Sequence, residues 1–98
     1  MTYIKTVWRH ALPDEPTVLY SEIDSDRREV RKVEIFADGR VGRASTTFET
    51  PSTGTGHAAI PYPELSEIAS DPQFLPREIT QAEFEEAWNR CDAGDAAV

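Results

Sequence analysis

Five side chains suited to recognition or acid–base work fall close together in the first half of the chain: Tyr20, Glu22, Glu29, Arg31 and Glu34, with Trp8 and His10 within reach. A guanidinium presents a planar fork of donors that locks a carboxylate through two parallel hydrogen bonds. Glu22 and Arg31 facing each other on paired strands would therefore form a strong pair and leave donors over for further acceptors. The favoured outcome is a structural ion pair at the core's edge, since such networks also occur away from active sites. The functional outcome is an anchor for a partner's carboxylate, phosphate or amide. A small enzyme using Tyr20, Glu22, Arg31 and His10 is the runner-up, and it would demand a concave site with at least one strongly shifted pKa.

Other chemistries find less support. Neither His10 nor His57 has a second Cys or His two to five residues away, as a local zinc site needs. Cys91 is the one cysteine, so neither an internal disulfide nor a thiolate cage can form. It falls on the apolar side of an expected helix, where cysteine behaves as a small hydrophobe. No metal or cofactor is called for. Thr53-Gly54-Thr55-Gly56 lacks the Lys-Ser/Thr of a phosphate loop. Asp24-Ser25-Asp26 lacks the later glycine and glutamate of a calcium loop and reads as a turn held by side-chain-to-backbone hydrogen bonds. Between Arg27 and Arg43, six basic residues oppose Glu29, Glu34 and Asp38, with Phe36 available for stacking, a pattern that single-stranded nucleic-acid binders use. One aromatic is a thin platform, and the net charge of −8 is the wrong footprint, so this is the disfavoured alternative.

The elements that must position these residues are legible in outline. Residues 3–9, 17–24, 29–36 and 40–48 are rich in β-branched and aromatic side chains between turn formers, which predicts a four-stranded antiparallel meander. Asp38-Gly39 predicts a two-residue type I′ hairpin. That turn sets Phe36 against Val41, Glu34 against Arg43 and Val33 against Ala44. One face then collects Val33, Ile35, Gly42 and Ala44, and the other collects Lys32, Glu34, Phe36, Val41 and Arg43. The preceding pair is best placed with Val18 opposite Ile35, Tyr20 opposite Val33 and Glu22 opposite Arg31, which gathers apolar residues and couples opposite charges. The first strand is ambiguous, because Tyr3 and Val7 point one way while Ile4 and Trp8 point the other.

Residues 49–63 read as a crossing loop rich in Gly, Pro, Ser and Thr. A short helix follows, with Pro63 near its first turn, Leu65 and Ile68 on one side, and Asp71-Pro72 ending it. Thr80-Gln81-Ala82-Glu83 is a capping box, with Ile79 and Phe84 spaced for the hydrophobic staple. Phe84, Ala87, Trp88 and Cys91 recur at helical spacing and should lay this last helix on the sheet. The expected organisation is a single α+β domain over residues 1–91, a four-stranded antiparallel meander with C-terminal helices packed on one face, and a frayed tail over 92–98.

Charge is segregated. Up to Phe48 eight basic residues balance eight acidic ones, whereas from Glu49 onward Arg77 and Arg90 oppose ten carboxylates. Such a one-signed region keeps a surface soluble or steers a basic partner. No stretch approaches the roughly 18 apolar residues of a membrane helix, and residues 1–16 lack the layout of a secretory signal, so a soluble, cytoplasmic protein without membrane contact is expected.

The string YSEIDSDRREVRKVEIFADGR, preceded by YIKTVWRH and followed by DPQFLPREITQAEFEEAW, resembles a family of small, mainly actinobacterial domains of unknown function. The resemblance spans most of the chain and rests on Trp8, His10, Tyr20-Ser21-Glu22, the 29–36 strand with Asp38-Gly39, and the Phe84 to Trp88 helix. The loop over residues 50–59 departs from that pattern in length and composition. The resemblance implies a bacterial protein, but no substrate, cofactor, partner or catalytic residue. From the residues themselves the expectation is a non-catalytic protein-interaction module. Its outer sheet face and acidic helical surface would meet a protein partner through Glu22, Arg31, Lys32, Glu34, Phe36 and Arg43.

Overall fold

The computed structural model describes residues 1–12, 15–45 and 62–96, with side chains as far as residue 89. Its elements are β1 (Thr2–Trp8), β2 (Pro16–Ile23), β3 (Glu29–Phe36), β4 (Val41–Ser45), α1 (Leu65–Ala69), β5 (Phe74–Ile79) and α2 (Gln81–Ala96). The fold is α+β, and the sheet is antiparallel in the order β4-β3-β2-β1-β5. The meander over β1 to β4 is present as expected. The sheet nevertheless has five strands rather than four. The chain returns to add β5 outside β1, pairing Tyr3 with Ile79 and Trp8 with Phe74. Pro76 disguises this strand in the sequence, because proline cannot donate to a ladder, and the structure accommodates it by placing β5 at the edge.

The β2–β3 register is the expected one: Val18 faces Ile35, Tyr20 faces Val33 and Glu22 faces Arg31. The β3–β4 register is not. Phe36 N–H donates to Arg40 O at 2.9 Å and Gly39 N–H donates to Phe36 O at 3.0 Å, so the loop holds three residues, Ala37, Asp38 and Gly39. A type I′ turn requires positive φ at both central positions. Gly39 has φ of 94°, but Arg27 is the one non-glycine described with positive φ, so Asp38 does not meet the requirement. The Asp38 carboxylate instead accepts from Arg40 N–H at 3.0 Å and Arg40 Nε at 2.7 Å, which holds its pKa below the usual range. The extra turn residue slides β4 by one, so Val33 faces Arg43 and Lys32 faces Ala44. Val41 and Arg43 therefore join the face with Val33 and Ile35, while Gly42 and Ala44 lie on the other.

The helices cover opposite faces, not one. On the first face α2 lays Phe84, fully buried at 0% exposure, and Ala87 over Tyr3, Tyr20, Val33 and Ile79. Thr80 caps it, accepting the Glu83 N–H on Oγ1 at 3.2 Å, and Ile79 and Phe84 share the core as the staple predicts. The Glu83 carboxylate turns to Arg77 at 3.4 Å. The helix runs to Ala96, through most of the segment read as a tail. On the second face, α1 brings Ile68 over Thr6, Leu19 and Phe74. Because β1 is interior, its two apolar rows are both used: Tyr3 and Val7 lie on the α2 side, Ile4 and Trp8 on the other.

Candidate functional site

A β-bulge separates the side chains that the sequence gathers. Glu22 pairs with Arg31 but the next residue, Ile23, pairs with Glu29, so Val30 is the extra residue on β3. Glu29 and Arg31, two apart and otherwise on one face, are thereby sent to opposite faces. Two separate polar groupings result.

Under α2, Arg31 is bound on every side. Its Nε donates to Glu22 Oε1 at 2.7 Å and its Nη2 to Glu22 Oε2 at 2.9 Å, while Nη1 reaches Glu85 Oε2 at 3.4 Å and Nη2 also bonds Glu85 Oε1. The guanidinium lies 4.8 Å from the Phe84 ring centroid and 4.9 Å from that of Trp88, and Arg43 approaches Trp88 from elsewhere at 4.7 Å. Hydrogen bonding to Arg31 holds the Glu22 carboxyl below the ordinary range, against the opposing effect of burial. Burial raises the Tyr3 hydroxyl pKa, and Glu22 beside it adds to the rise. The same carboxylates make Arg31 hold its proton more firmly still. The donors that Arg31 has left over from Glu22 are thus met by a carboxylate of the chain itself, Glu85 of α2. Glu85 lies outside the inward set of Phe84, Ala87, Trp88 and Cys91 that helical spacing picks out; the signal for it is its place one residue after Phe84 and three before Trp88.

On the opposite face a cavity of about 320 Å³ lies between the sheet and α1. Thr6, Leu19 and Ser21 form its floor with Lys32 and Glu29, and Tyr62, Pro63 and Ile68 stand above them. Phe74 and the carboxylates of Glu67 and Asp71 complete the lining. At the floor, Ser21 Oγ donates to Glu29 Oε2 at 2.8 Å, and Glu29 is only 7% exposed. Thr6 is 4% exposed, and its Oγ1, itself enclosed, has no hydrogen-bond partner among the described residues. Glu67 and Asp71 are exposed, which places them at the mouth. The walls are otherwise apolar, the usual character of a binding pocket with a few placed polar groups. No single-sequence pattern announces this cavity, since its parts come from five places along the chain and meet only through the added strand and α1.

The six residues expected to meet a partner lie on both faces of the sheet. Glu22, Arg31 and Arg43 lie on the α2 face, and Lys32, Glu34 and Phe36 on the cavity face. Phe36 is buried at 3% exposure, with Arg40 stacked 4.6 Å from its ring centroid. His10 stands against Trp8 with ring centroids 4.2 Å apart; its Nδ1 accepts Leu12 N–H at 2.9 Å, so Nε2, 2.8 Å from Pro16 O, carries the proton. Asp24 Oδ1 accepts from Asp26 N–H and Arg28 N–H, both at 2.9 Å, the turn expected there. His57, the Thr53 to Gly56 run and the side chain of Cys91 lie outside the described residues. Among the described residues no helix is long and apolar enough to cross a membrane.

Residues 2–93 match a family described as Domain of unknown function (DUF6881). No curated protein and no solved structure matches the chain.

Proposed function

Starting from the fact that the chain belongs to this domain family of unknown function, we propose that it is a non-catalytic protein-interaction module that takes a partner segment on the sheet face opposite α2. The observation that carries the proposal is the 320 Å³ cavity on that face, with Leu19, Ile68 and Phe74 as apolar wall and carboxylates at floor and mouth. A cavity of this size suits one anchoring side chain of an otherwise extended partner. The carboxylates from Glu49 onward supply a negative field that raises the encounter rate with a basic partner.

Catalysis is the weaker reading because Arg31 is occupied by Glu22 and Glu85, and His10 has both ring nitrogens engaged. An acid–base pair with a spare lone pair and a reachable substrate is what that set would need. Nucleic-acid binding loses its platform with the burial of Phe36, and Arg27, Arg31 and Arg40 are each paired with a carboxylate.

The test is selection of displayed random peptides on the wild-type domain with counter-selection on Ile68→Trp, which fills the cavity from α1. Peptides should be retained by the wild type and released by the variant. A selection in which every enriched peptide binds both proteins equally, or in which none is enriched, would refute the module.

A further inference from the structure

We infer that the cavity takes a large aromatic side chain of the partner, an indole before a phenyl ring, and that a basic residue beside it on the same segment lies over Glu67 and Asp71 at the mouth. This rests on the module proposed above and names the chemistry of its ligand.

The floor is closed to polar groups. Thr6 Oγ1 is enclosed by its surroundings. The buried Ser21 hydroxyl donates to the buried Glu29 carboxylate, and Glu29 has a further interaction besides. A cation pushed to that floor would give up its hydration with no open acceptor in exchange. An anion would meet Glu29, Glu67 and Asp71 against the single ammonium of Lys32. What the cavity offers instead is mostly apolar surface, from Leu19 below and from Ile68 and Phe74, which an apolar group covers with gain.

Volume decides which apolar group. An apolar cavity of about 150 Å³ accommodates a single benzene ring. The space here is about 320 Å³, so a valine or leucine side chain would leave most of it empty and the lining without contacts. The two fused rings of an indole fill it better than one. The rings of Tyr62 and Phe74 stand in the lining and offer the offset or edge-to-face contacts that aromatic pairs prefer.

The placing of the basic residue follows from where the rim charges sit. Lys32 belongs to β3, whereas Asp71 stands in the turn leading into Phe74 of β5, three strands away at about 4.8 Å per step. Glu67 is on α1, which packs beside β5. Both carboxylates are exposed, so the rim is negative on the α1 side and its described cation lies across the cavity. Arg27 is turned to Pro63 O and Glu64. A lysine or arginine next to the anchored ring can therefore meet Glu67 and Asp71 with its charge still in water, a contact that steers and orients more than it binds.

The experiment uses the Ile68-dependent peptides from the selection above and measures their affinity by titration calorimetry. They should share a tryptophan or phenylalanine whose replacement by alanine or by lysine weakens binding about thirtyfold or more, the range of a central interface anchor. Glu67→Lys should weaken them about two- to fivefold at low salt, and Glu86→Lys, an equal change of net charge on the exposed side of α2, should leave them nearly unchanged. Free indole, followed by amide chemical shifts, should move Leu19, Ile68 and Phe74 in the wild type and not in Ile68→Trp, while n-butylammonium moves none of them. Peptides anchored by lysine, arginine or a small aliphatic residue, or amides that indole leaves unmoved, overturn the aromatic assignment and leave the module standing. Equal weakening by Glu67→Lys and Glu86→Lys overturns the placing of the basic residue. Absence of any Ile68-dependent peptide overturns module and ligand together.

Discussion

Replacing Arg31 by methionine tests the ionic cluster under α2 most directly, because it removes the charge while leaving a flexible apolar side chain between Phe84 and Trp88. In the wild type the Glu22 carboxylate, 6% exposed, is held by two Arg31 nitrogens at 2.7 and 2.9 Å. Without them a buried carboxylate faces Glu85 with no cation between. Removing one partner of a buried pair typically destabilises by about 3–5 kcal/mol, more than the pair itself contributes, since desolvation of the survivor is then uncompensated. The added Glu22→Gln change removes that orphan charge, so the double variant should regain about 1–3 kcal/mol, as interacting positions do.

The pH dependence separates this reasoning from simple loss of packing. In the wild type the folded pKa of Glu22 is lowered, so its contribution is fully present above the unfolded value of about 4.3 and disappears as pH falls through the folded pKa. In Arg31→Met both lowering contributions of the guanidinium are gone, and burial, opposed now by the Tyr3 hydrogen bond and the amino terminus, raises the folded pKa. The penalty is then complete above that raised value and relieved as pH falls toward the unfolded one. The stability gap between wild type and variant should therefore narrow on acidification. Urea unfolding followed by tryptophan fluorescence between about pH 4 and pH 8 reads it directly. Parallel stability curves, or a loss below about 1 kcal/mol at neutral pH, would refute the account.

Two further changes probe the framework. Phe84→Ala should cost about 3–5 kcal/mol by emptying the centre of the α2 interface, and Trp88→Ala less, because Trp88 stands half-exposed over two guanidinium groups; the urea midpoints of the pair check the ranking. Gly39→Ala should cost about 1–2 kcal/mol from its positive φ alone, since open space surrounds the position, and Gly39→Asn should recover most of it; equal midpoints for alanine and glycine would argue against the three-residue turn.

What the sequence disclosed follows from how local each cause is. The Thr80 cap, the Ile79–Phe84 staple and the β2–β3 register depend on neighbours in sequence or on one hairpin's alternation, and all were legible. The β3–β4 register hung on the sign of a single φ at Asp38, and one extra turn residue moved Arg43 beneath the helix. β5 was hidden because Pro76 and the flanking charges of Arg77 and Glu78 erase strand alternation at an edge, where the partner strand alone dictates pairing. The cavity was illegible for the same reason: it exists only because α1 and β5 place Ile68 and Phe74 over residues from β1 and β2.

The bulge at Val30 gives the two faces different fates. Had β3 continued regularly, Glu29 would stand with Glu22 and Arg31, and three groups with one cation among them would share the α2 face. The added residue sends Glu29 through the sheet to Ser21, leaving Arg31 for Glu22 and Glu85. A carboxylate that would otherwise stand beside a helix-side arginine is thereby placed at the floor of the cavity, where the Ser21 hydroxyl donates to it. Deleting Val30 would restore the regular register at the cost of shifting the strand's end. The same geometry explains why a substitution at Arg31 should alter stability: beneath α2 the charges of Glu22, Arg31 and Glu85 answer one another, so removing the one cation leaves two carboxylates facing each other.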